Sequence, residues 1–419
     1  MEPGTFFTMI FVFYFFAAVL VFLSFKSFRG GIDYLNFFRR ELARPPSDFA
    51  PFVSVIAPCR GLDEGLEENL AALFCQEFPR YEVIFVVDSD ADEAVPVIEK
   101  LMHRPRGLKR VVAGKAENES QKVHNLREAV LRADDESEVF VFVDSDARPS
   151  ADWLRNLIAP LKDESVGAAT AYRWFVSKNF TFASEMRSVW NASIASALGA
   201  NARSNFCWGG SMAIRRETFE KIDMREKWRG TLSDDFAVTR AVKEAGLPIY
   251  FVPQALVVSV ENCNWRECLE FTTRQMKITR TYAPDLWKMS FIGATVFNLV
   301  WIWGVLNLVF YSADSVAFRY SAVALFVVSV FSIGKSWLRL KAVKLVLKNY
   351  ARELEKQFWT QNTLWIFSPA LFFYNSVCAL ASRKIVWRGI KYELISPSET
   401  LVTKESTTNK ALPSSDVLD

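Results

Sequence analysis

Val139-Phe-Val-Phe-Val-Asp-Ser-Asp146 is a run of five apolar residues that ends in two carboxylates one residue apart. A strand buried on both faces of a parallel sheet reads as an unbroken apolar run of this kind. Its acids would then emerge at the carboxyl end, the edge where open α/β sheets bind ligands. Two carboxylates in that place suit a divalent cation, and a cation suits a phosphate. Alone, Asp-Ser-Asp is more often a turn, because aspartate is a common turn and cap residue. The surrounding chain has to decide between the two readings.

Strand and helix alternate around this run from Phe52 to about Val260. Apolar runs predict strands at Phe52–Ala57, Tyr81–Val87, Leu108–Ala113 and Val139–Val143. Less regular strands are expected at Val166–Phe175, Cys207–Ile214 and Ile249–Val258. Helical spacing fills the gaps, including Lys122–Arg132 and Thr181–Leu198. Ser233-Asp-Asp-Phe reads as a helix start with Ser233 as its cap, and Gly246 as its end. This alternation predicts βαβ units and a mainly parallel sheet. Acidic clusters stand at three element ends: Asp88/Asp90/Asp92, Asp144/Asp146 and Asp234/Asp235. Three in this order are far more specific than one.

The flanks are apolar. Phe6–Phe25, Met289–Tyr311 and Trp359–Ala381 carry no charge, and Val316–Ile333 has only Arg319, near one end. About 20 apolar residues cross a bilayer core. A central Arg or Lys would cost roughly 2.5–3.5 kcal/mol, so the lack of central charges points to membrane spans. Lys26, Arg29, Arg39 and Arg40 follow the first segment and no basic residue precedes it. That argues against a cleaved signal peptide and puts the following domain in the cytoplasm. Gly30-Gly31 and Arg44-Pro-Pro-Ser47 read as chain breakers. Asn264–Tyr282 reads as an interfacial helix leading into the second span. The basic stretch Lys335–Lys356, interleaved with Trp337, Leu338, Leu340, Val343 and Leu347, suggests a second one. Pro369 lies within the fourth segment and suits a re-entrant hairpin with a cytosolic C-terminus. A net charge of +3 gives no nucleic-acid footprint. Six Cys without a CxxC pair, and only His103 and His124, argue against zinc or a disulfide framework.

From Phe52 to Tyr282 the sequence resembles the inverting, family 2-like glycosyltransferases with a GT-A fold, and among them the ceramide glucosyltransferases (family 21). The likeness rests on the three acidic clusters, on Gln121-Lys-Val-His-Asn-Leu126 and on Cys207-Trp-Gly-Gly-Ser-Met212. It implies that Asp88, with Asp90 and Asp92 as competitors, contacts the uracil of a UDP-sugar. It implies that Asp144 and Asp146 hold Mg²⁺ or Mn²⁺ with the diphosphate, and that Asp235, beside Asp234, is the catalytic base. Lys122, Gly209 and Gly210 fall beside the donor. At the family's Gln/Arg-x-x-Arg-Trp pattern the chain has Arg274-Gln-Met-Lys277-Ile278, so Lys and Ile replace Arg and Trp. Arg274, Lys277 and Arg280 are then the candidate diphosphate clamp. Gly209-Gly210 is equally compatible with a plain tight turn, and Lys122 with a solvated helix residue.

The expected organisation is an N-terminal membrane anchor (1–30), a cytosolic GT-A domain (50–285, interfacial helix 264–282), a C-terminal membrane domain (289–395, interfacial helix 335–356) and a disordered tail (396–419). The expected reaction moves a hexose, with glucose favoured, from a UDP-sugar to a membrane lipid hydroxyl. A processive polysaccharide synthase and a non-catalytic nucleotide-binding scaffold are the rivals. Four apolar segments are few for a polymer channel. A transporter would need paired, broken, charged spans that the chain lacks.

Overall fold

The computed structural model describes residues 3–102 and 107–405; His103 and the tail beyond 405 lie outside them. Four parallel strands open the domain: β1 (Val53–Pro58), β2 (Tyr81–Val87), β3 (Leu108–Val112) and β4 (Val139–Phe142). Next come β5 (Ala168–Thr170), β6 (Arg173–Val176), β7 (Met212–Arg215), β8 (Ile249–Phe251) and β9 (Val257–Val260). The main sheet has the order β3-β2-β1-β4-β7-β5-β8, with β7 antiparallel to both of its neighbours. β6 and β9 form a separate parallel pair.

The opening stretch behaves as an apolar run should. Every residue of β4 is buried, and its side chains alternate between two cores. Val139 and Val141 join Val55, Val83 and Phe85 on one face; Phe140 and Phe142 join Ile56, Ile84 and Ile214 on the other. Asp144 and Asp88 therefore leave the same edge of the sheet, at the ends of β4 and β2.

Among the described residues three helices are long and apolar enough to cross a membrane: residues 11–42 of the first helix, Pro284–Phe310 and Val316–Val346. A fourth pair, Lys348–Ile366 and Ser368–Ala381, is bent by 60°, as a broken span or a re-entrant loop would be. The expected break at Gly30-Gly31 is not observed, because the first helix runs on to Leu42. Its far end is anchored in the core of the sheet domain through Tyr34, Leu35, Phe37 and Phe38. Tyr250 also donates a hydrogen bond to Glu41 Oε2 at 2.9 Å. Buried packing compensates the poor helix propensity of two glycines.

The interfacial helix expected at 335–356 is likewise not a separate element. Residues 335–346 continue the span Val316–Val346, and Ala351 opens another helix. Leu338, Leu340, Val343 and Leu347 pack into the core of the sheet domain, so these four meet protein where lipid was expected, while Trp337 stays exposed.

The start of the expected disordered tail, residues 396–405, is corrected too, and residues 406–419 lie outside the described residues. β10 (Lys384–Trp387), β11 (Ile390–Ser396) and β12 (Glu399–Glu405) form an antiparallel sheet. Its Ile385, Ile390, Tyr392 and Leu394 bury Ile278 of the Trp265–Tyr282 helix. Along β11 Ile390, Tyr392 and Leu394 alternate with more exposed residues and point to one buried face.

Candidate active site

A cavity of about 450 Å³ opens at the carboxyl edge of the sheet. One wall is made by Lys122, Asp144 and Asp146, the other by Arg274, Trp387 and Arg388.

The acidic wall is a connected cluster. Ser120 caps the Gln121–Ala129 helix, its Oγ accepting from Val123 N at 3.2 Å, and so fixes Lys122 in the first turn. Lys122 Nζ lies 2.7 Å from Asp144 Oδ1 and 3.0 Å from Asp234 Oδ1. Burial opposes its charge, but Asp144, Asp234 and Asp235 outweigh that and hold the ammonium well above the usual lysine range. The solvated-residue reading of Lys122 is thereby set aside.

Asp146 Oδ2 accepts from Arg173 Nη1 at 2.8 Å. Burial disfavours its ionisation, yet Arg173, Arg388 and Lys122 together hold the carboxyl below its ordinary value. Its other oxygen, Oδ1, is buried with no hydrogen-bond partner. An unpartnered buried carboxylate oxygen beside Asp144 fits a cation. Among the described residues no group of three or more His, Cys, Asp or Glu could hold a metal alone. Mg²⁺ or Mn²⁺ accommodates this, because two carboxylates, water and substrate phosphate can complete its shell.

The paired glycines have a steric reason. A Cβ on Gly209 would stand 2.2 Å from Asp234 Oδ2 and 2.7 Å from Lys122 Nζ. One on Gly210 would meet the Trp208 ring at 2.2 Å and Asp144 Oδ2 at 2.8 Å. Close approach to the acidic cluster, more than turn geometry, demands glycine here.

Asp234 and Asp235 divide their labour by burial. Asp234 is 2% exposed. Burial pushes its carboxyl up to about 6, with Lys122 opposing and Asp235 and Asp144 adding. Asp235 is half-buried and well supplied with donors. Its Oδ1 accepts from Ser233 Oγ and, at 2.7 Å, from Phe236 N. Its Oδ2 has one long contact, 3.3 Å from Gly209 N, and is the freer oxygen. Ser233 thus spends its hydroxyl on Asp235 and does not make the expected side-chain cap. Tyr282 Oη accepts from the backbone N–H groups of Leu232 (2.7 Å) and Ser233 (3.3 Å), which pins this loop to the Trp265–Tyr282 helix.

The first acidic cluster narrows to one residue. Asp88 is 7% exposed and pairs with Arg60, which lines the cavity. Asp90 pairs with Arg110 at the surface. Asp92 Oδ1 accepts from the backbone N–H groups of Gly61 and Ala94, both at 2.9 Å, and shapes the turn.

The clamp also changes. Arg274 lines the cavity, and its guanidinium lies over Phe271 and Trp387 at 5.6 and 5.7 Å. Burial, helped by Arg388 and Arg173, lowers its pKa to about 10. It makes no ion pair among the described residues. Lys277 and Arg280 point elsewhere. Lys277 Nζ donates to the Lys384 carbonyl at 2.7 Å, and Arg280 Nη1 to those of Ala379 (2.6 Å) and Leu380 (3.3 Å). Lys277 secures the C-terminal sheet, and Arg280 caps the Ser368–Ala381 helix.

Three residues at the cavity escaped the sequence reading. Arg173 holds Asp146, and its charge within an otherwise apolar run was the available signal. Trp387 and Arg388 arrive from the β10–β11 turn, where Arg388 adopts φ 50° and Gly389 φ 77°. Arg388 Nη1 lies 2.6 Å from Asp63 Oδ1 and donates to the Arg60 carbonyl at 3.1 Å.

The model of glycosyl transferase family 21 matches residues 7–399. A ceramide glucosyltransferase of Candida albicans is 27% identical over 123 residues, 26% of this chain and 22% of that protein. Ceramide glucosyltransferase 3 of Caenorhabditis elegans is 34% identical over 85 residues, 20% of this chain and 18% of its own length. The matched stretches span about a fifth of these relatives. Among solved structures, a mannosyltransferase of Pyrobaculum calidifontis in complex with GDP-Man and Mn²⁺ has a TM-score of 0.46 at 18% identity, covering 88% of this chain and 99% of its own. The expected α/β class is the one observed: a mixed, mainly parallel sheet, flanked by long apolar helices. With its model matching from residue 7 to residue 399, glycosyl transferase family 21 is the family to which this chain belongs.

Proposed function

We propose that the protein transfers a hexose, glucose foremost, from a UDP-sugar to the hydroxyl of a membrane lipid of the ceramide type, with inversion and with Mg²⁺ or Mn²⁺. One observation carries the reading. Asp144 lines the cavity together with Arg274, a cation with no carboxylate partner among the described residues, and Lys122 joins Asp144 to Asp234, the neighbour of Asp235. The ceramide glucosyltransferase names of the curated relatives support the acceptor class.

Asp144 and Asp146 are the residues to hold the cation. When bound, the cation neutralises charge on the departing diphosphate. Arg274 supplies a forked donor to the same phosphates from the opposite wall. Asp88 serves the donor base through the side of the cavity lined by Arg60. Asp235 Oδ2 takes the proton from the acceptor hydroxyl as its oxygen attacks the anomeric carbon. The donors on Oδ1 keep the carboxylate oriented, while Oδ2 stays available. A single displacement inverts the anomeric centre. The Trp265–Tyr282 helix, which bears Arg274, packs against Pro284–Phe310 and Ser368–Ala381, so a lipid headgroup has a short route to the site. The basic residues after the first span put this face in the cytosol.

The test is incubation of membranes containing the protein with labelled UDP-glucose, UDP-galactose or UDP-N-acetylglucosamine plus ceramide. One sugar on a lipid, abolished by EDTA and restored by Mn²⁺ or Mg²⁺, is expected. A labelled polymer, or no transfer from any donor, overturns the reading.

A further inference from the structure

A second cavity, about 370 Å³, lies among the first helix, Pro284–Phe310, Val316–Val346 and Ser368–Ala381. It is separate from the site above and shares no residue with it. Two cations line it, Lys335 and Arg339, one helical turn apart. No Asp or Glu lines it, and its remaining polar lining is serine, including Ser24, Ser27, Ser332 and Ser336.

Arg339 is 4% exposed, so it does not snorkel to water over a lipid-facing surface. One hydrogen bond holds it, Nη2 to Gln361 Oε1 at 3.2 Å, and its Nε is buried without a partner. Neither Lys335 nor Arg339 makes an ion pair among the described residues. A buried guanidinium with no counter-charge is unfavourable unless an anion joins it.

The level of the cavity says which anion. Each of the three spans changes from uncharged to charged beside it: at Lys26 after Phe25, at Lys288 before Met289, and at Lys335 after Gly334. Their neighbours Ser27 and Met289 line the cavity together with Lys335, and a Cβ on Gly31 would meet Lys335 Cα at 3.3 Å. The cations therefore lie at headgroup depth, and Leu20, Leu23, Phe297 and Phe331 form apolar walls towards the acyl region. Basic pockets between spans at this depth suit lipid phosphates, which Arg meets with two parallel donors.

We infer that this cavity binds the phosphate of an anionic phospholipid, with Lys335 and Arg339 as its ligands and the acyl chains between the first helix and Pro284–Phe310. The lipid is a bound structural ligand, distinct from the uncharged acceptor of the proposed reaction.

The experiment needs no transferase activity, so its outcome stands apart from that reading. Detergent-purified protein is extracted and its phospholipid quantified. Its melting temperature is then followed in phosphatidylcholine alone and with added phosphatidylglycerol. About one retained anionic lipid per chain and a raised Tm with phosphatidylglycerol are expected. Lys335→Gln with Arg339→Gln should cut retention about tenfold or more, the scale of a lost charge-assisted contact. Gly293→Phe fills the cavity and keeps both cations; an added Cβ there meets nothing within 4 Å. This variant should lose the lipid as well while its Tm in phosphatidylcholine alone stays close to that of the wild type. Equal retention of neutral and anionic lipid, full retention in Gly293→Phe, or an equal Tm rise with inorganic phosphate alone would overturn the inference.

Discussion

The two walls of the active-site cavity are built on opposite plans. The acidic wall comes from a strand end and a helix start, with Lys122 paired to Asp144 and Arg173 to Asp146; behind it Lys122 also pairs with Asp234, and the Ser233 hydroxyl donates to Asp235. The basic wall comes from one helix and a hairpin that lies more than a hundred residues further on. Arg274 there has ring contacts and no carboxylate. The preorganised wall suits chemistry, since fixed groups need not reorganise in the transition state. The underfilled wall suits binding, since an anionic donor completes it.

The largest expected effect tests that division on the acidic side. Asp235→Asn keeps the size and loses the base, so kcat should fall roughly 10²–10⁴-fold, while UDP affinity, measured by calorimetry, stays within about threefold. Equal loss of both would make Asp235 a binding residue. Next comes the basic side. Arg274→Gln should weaken UDP-sugar binding by roughly 10–100-fold, the value of a charge-assisted contact to phosphate. Its kcat at saturating donor should change far less. A collapse in kcat with unchanged donor KM would erase the contrast between the walls.

The sequence makes one wall readable and hides the other, for a physical reason. The acids stand next to the strand or helix that aims them, so apolar run and carboxylate are read together, as at Val143-Asp144. Which acid does what depended on burial and partners: Asp92 competed with Asp88 until its hydrogen bonds from Gly61 and Ala94 made it a turn residue. The basic wall depends on a contact distant in sequence. Ile278, in the place of a family Trp, is covered by Ile385, Ile390 and Tyr392, and the same sheet carries Trp387 into the cavity. No local pattern links residue 278 to residue 387. Arg280 was misassigned for the same reason, because the helix end it caps lies about a hundred residues on.

The hairpin gives a smaller, sharper test. Trp387→Ala removes the ring under Arg274 and leaves its charge, so donor KM should rise a few-fold, in line with a cation–π contact of about 0.5–2 kcal/mol. If Arg274→Gln is already present, Trp387→Ala should add little, since both act through one group. Full additivity would show that Trp387 contacts the donor on its own.

The smallest effect concerns what holds the acidic wall in place. His124 follows Lys122 by two residues on the same helix, with Nδ1 3.0 Å from Glu119 Oε1 and Nε2 3.0 Å from the Ala113 carbonyl. The Glu119 hydrogen bond raises its pKa; burial opposes, and the Ala113 carbonyl assists. The folded state therefore holds the proton more tightly than the unfolded chain does. This stabilisation is complete below the ordinary histidine value of about 6.5 and is lost as pH rises through the higher folded value. Arg127 Nη1 (2.8 and 3.0 Å) and Gly230 N (3.1 Å) also hold Glu119, so it keeps partners when His124 turns neutral. The loss should then be about 1 kcal/mol or less. Thermal melts either side of that range should fall for the wild type and stay level for His124→Gln. The same fall in both would assign the pH dependence to another group, and a fall in donor affinity alongside it would mean that support for the acidic wall reaches the basic one.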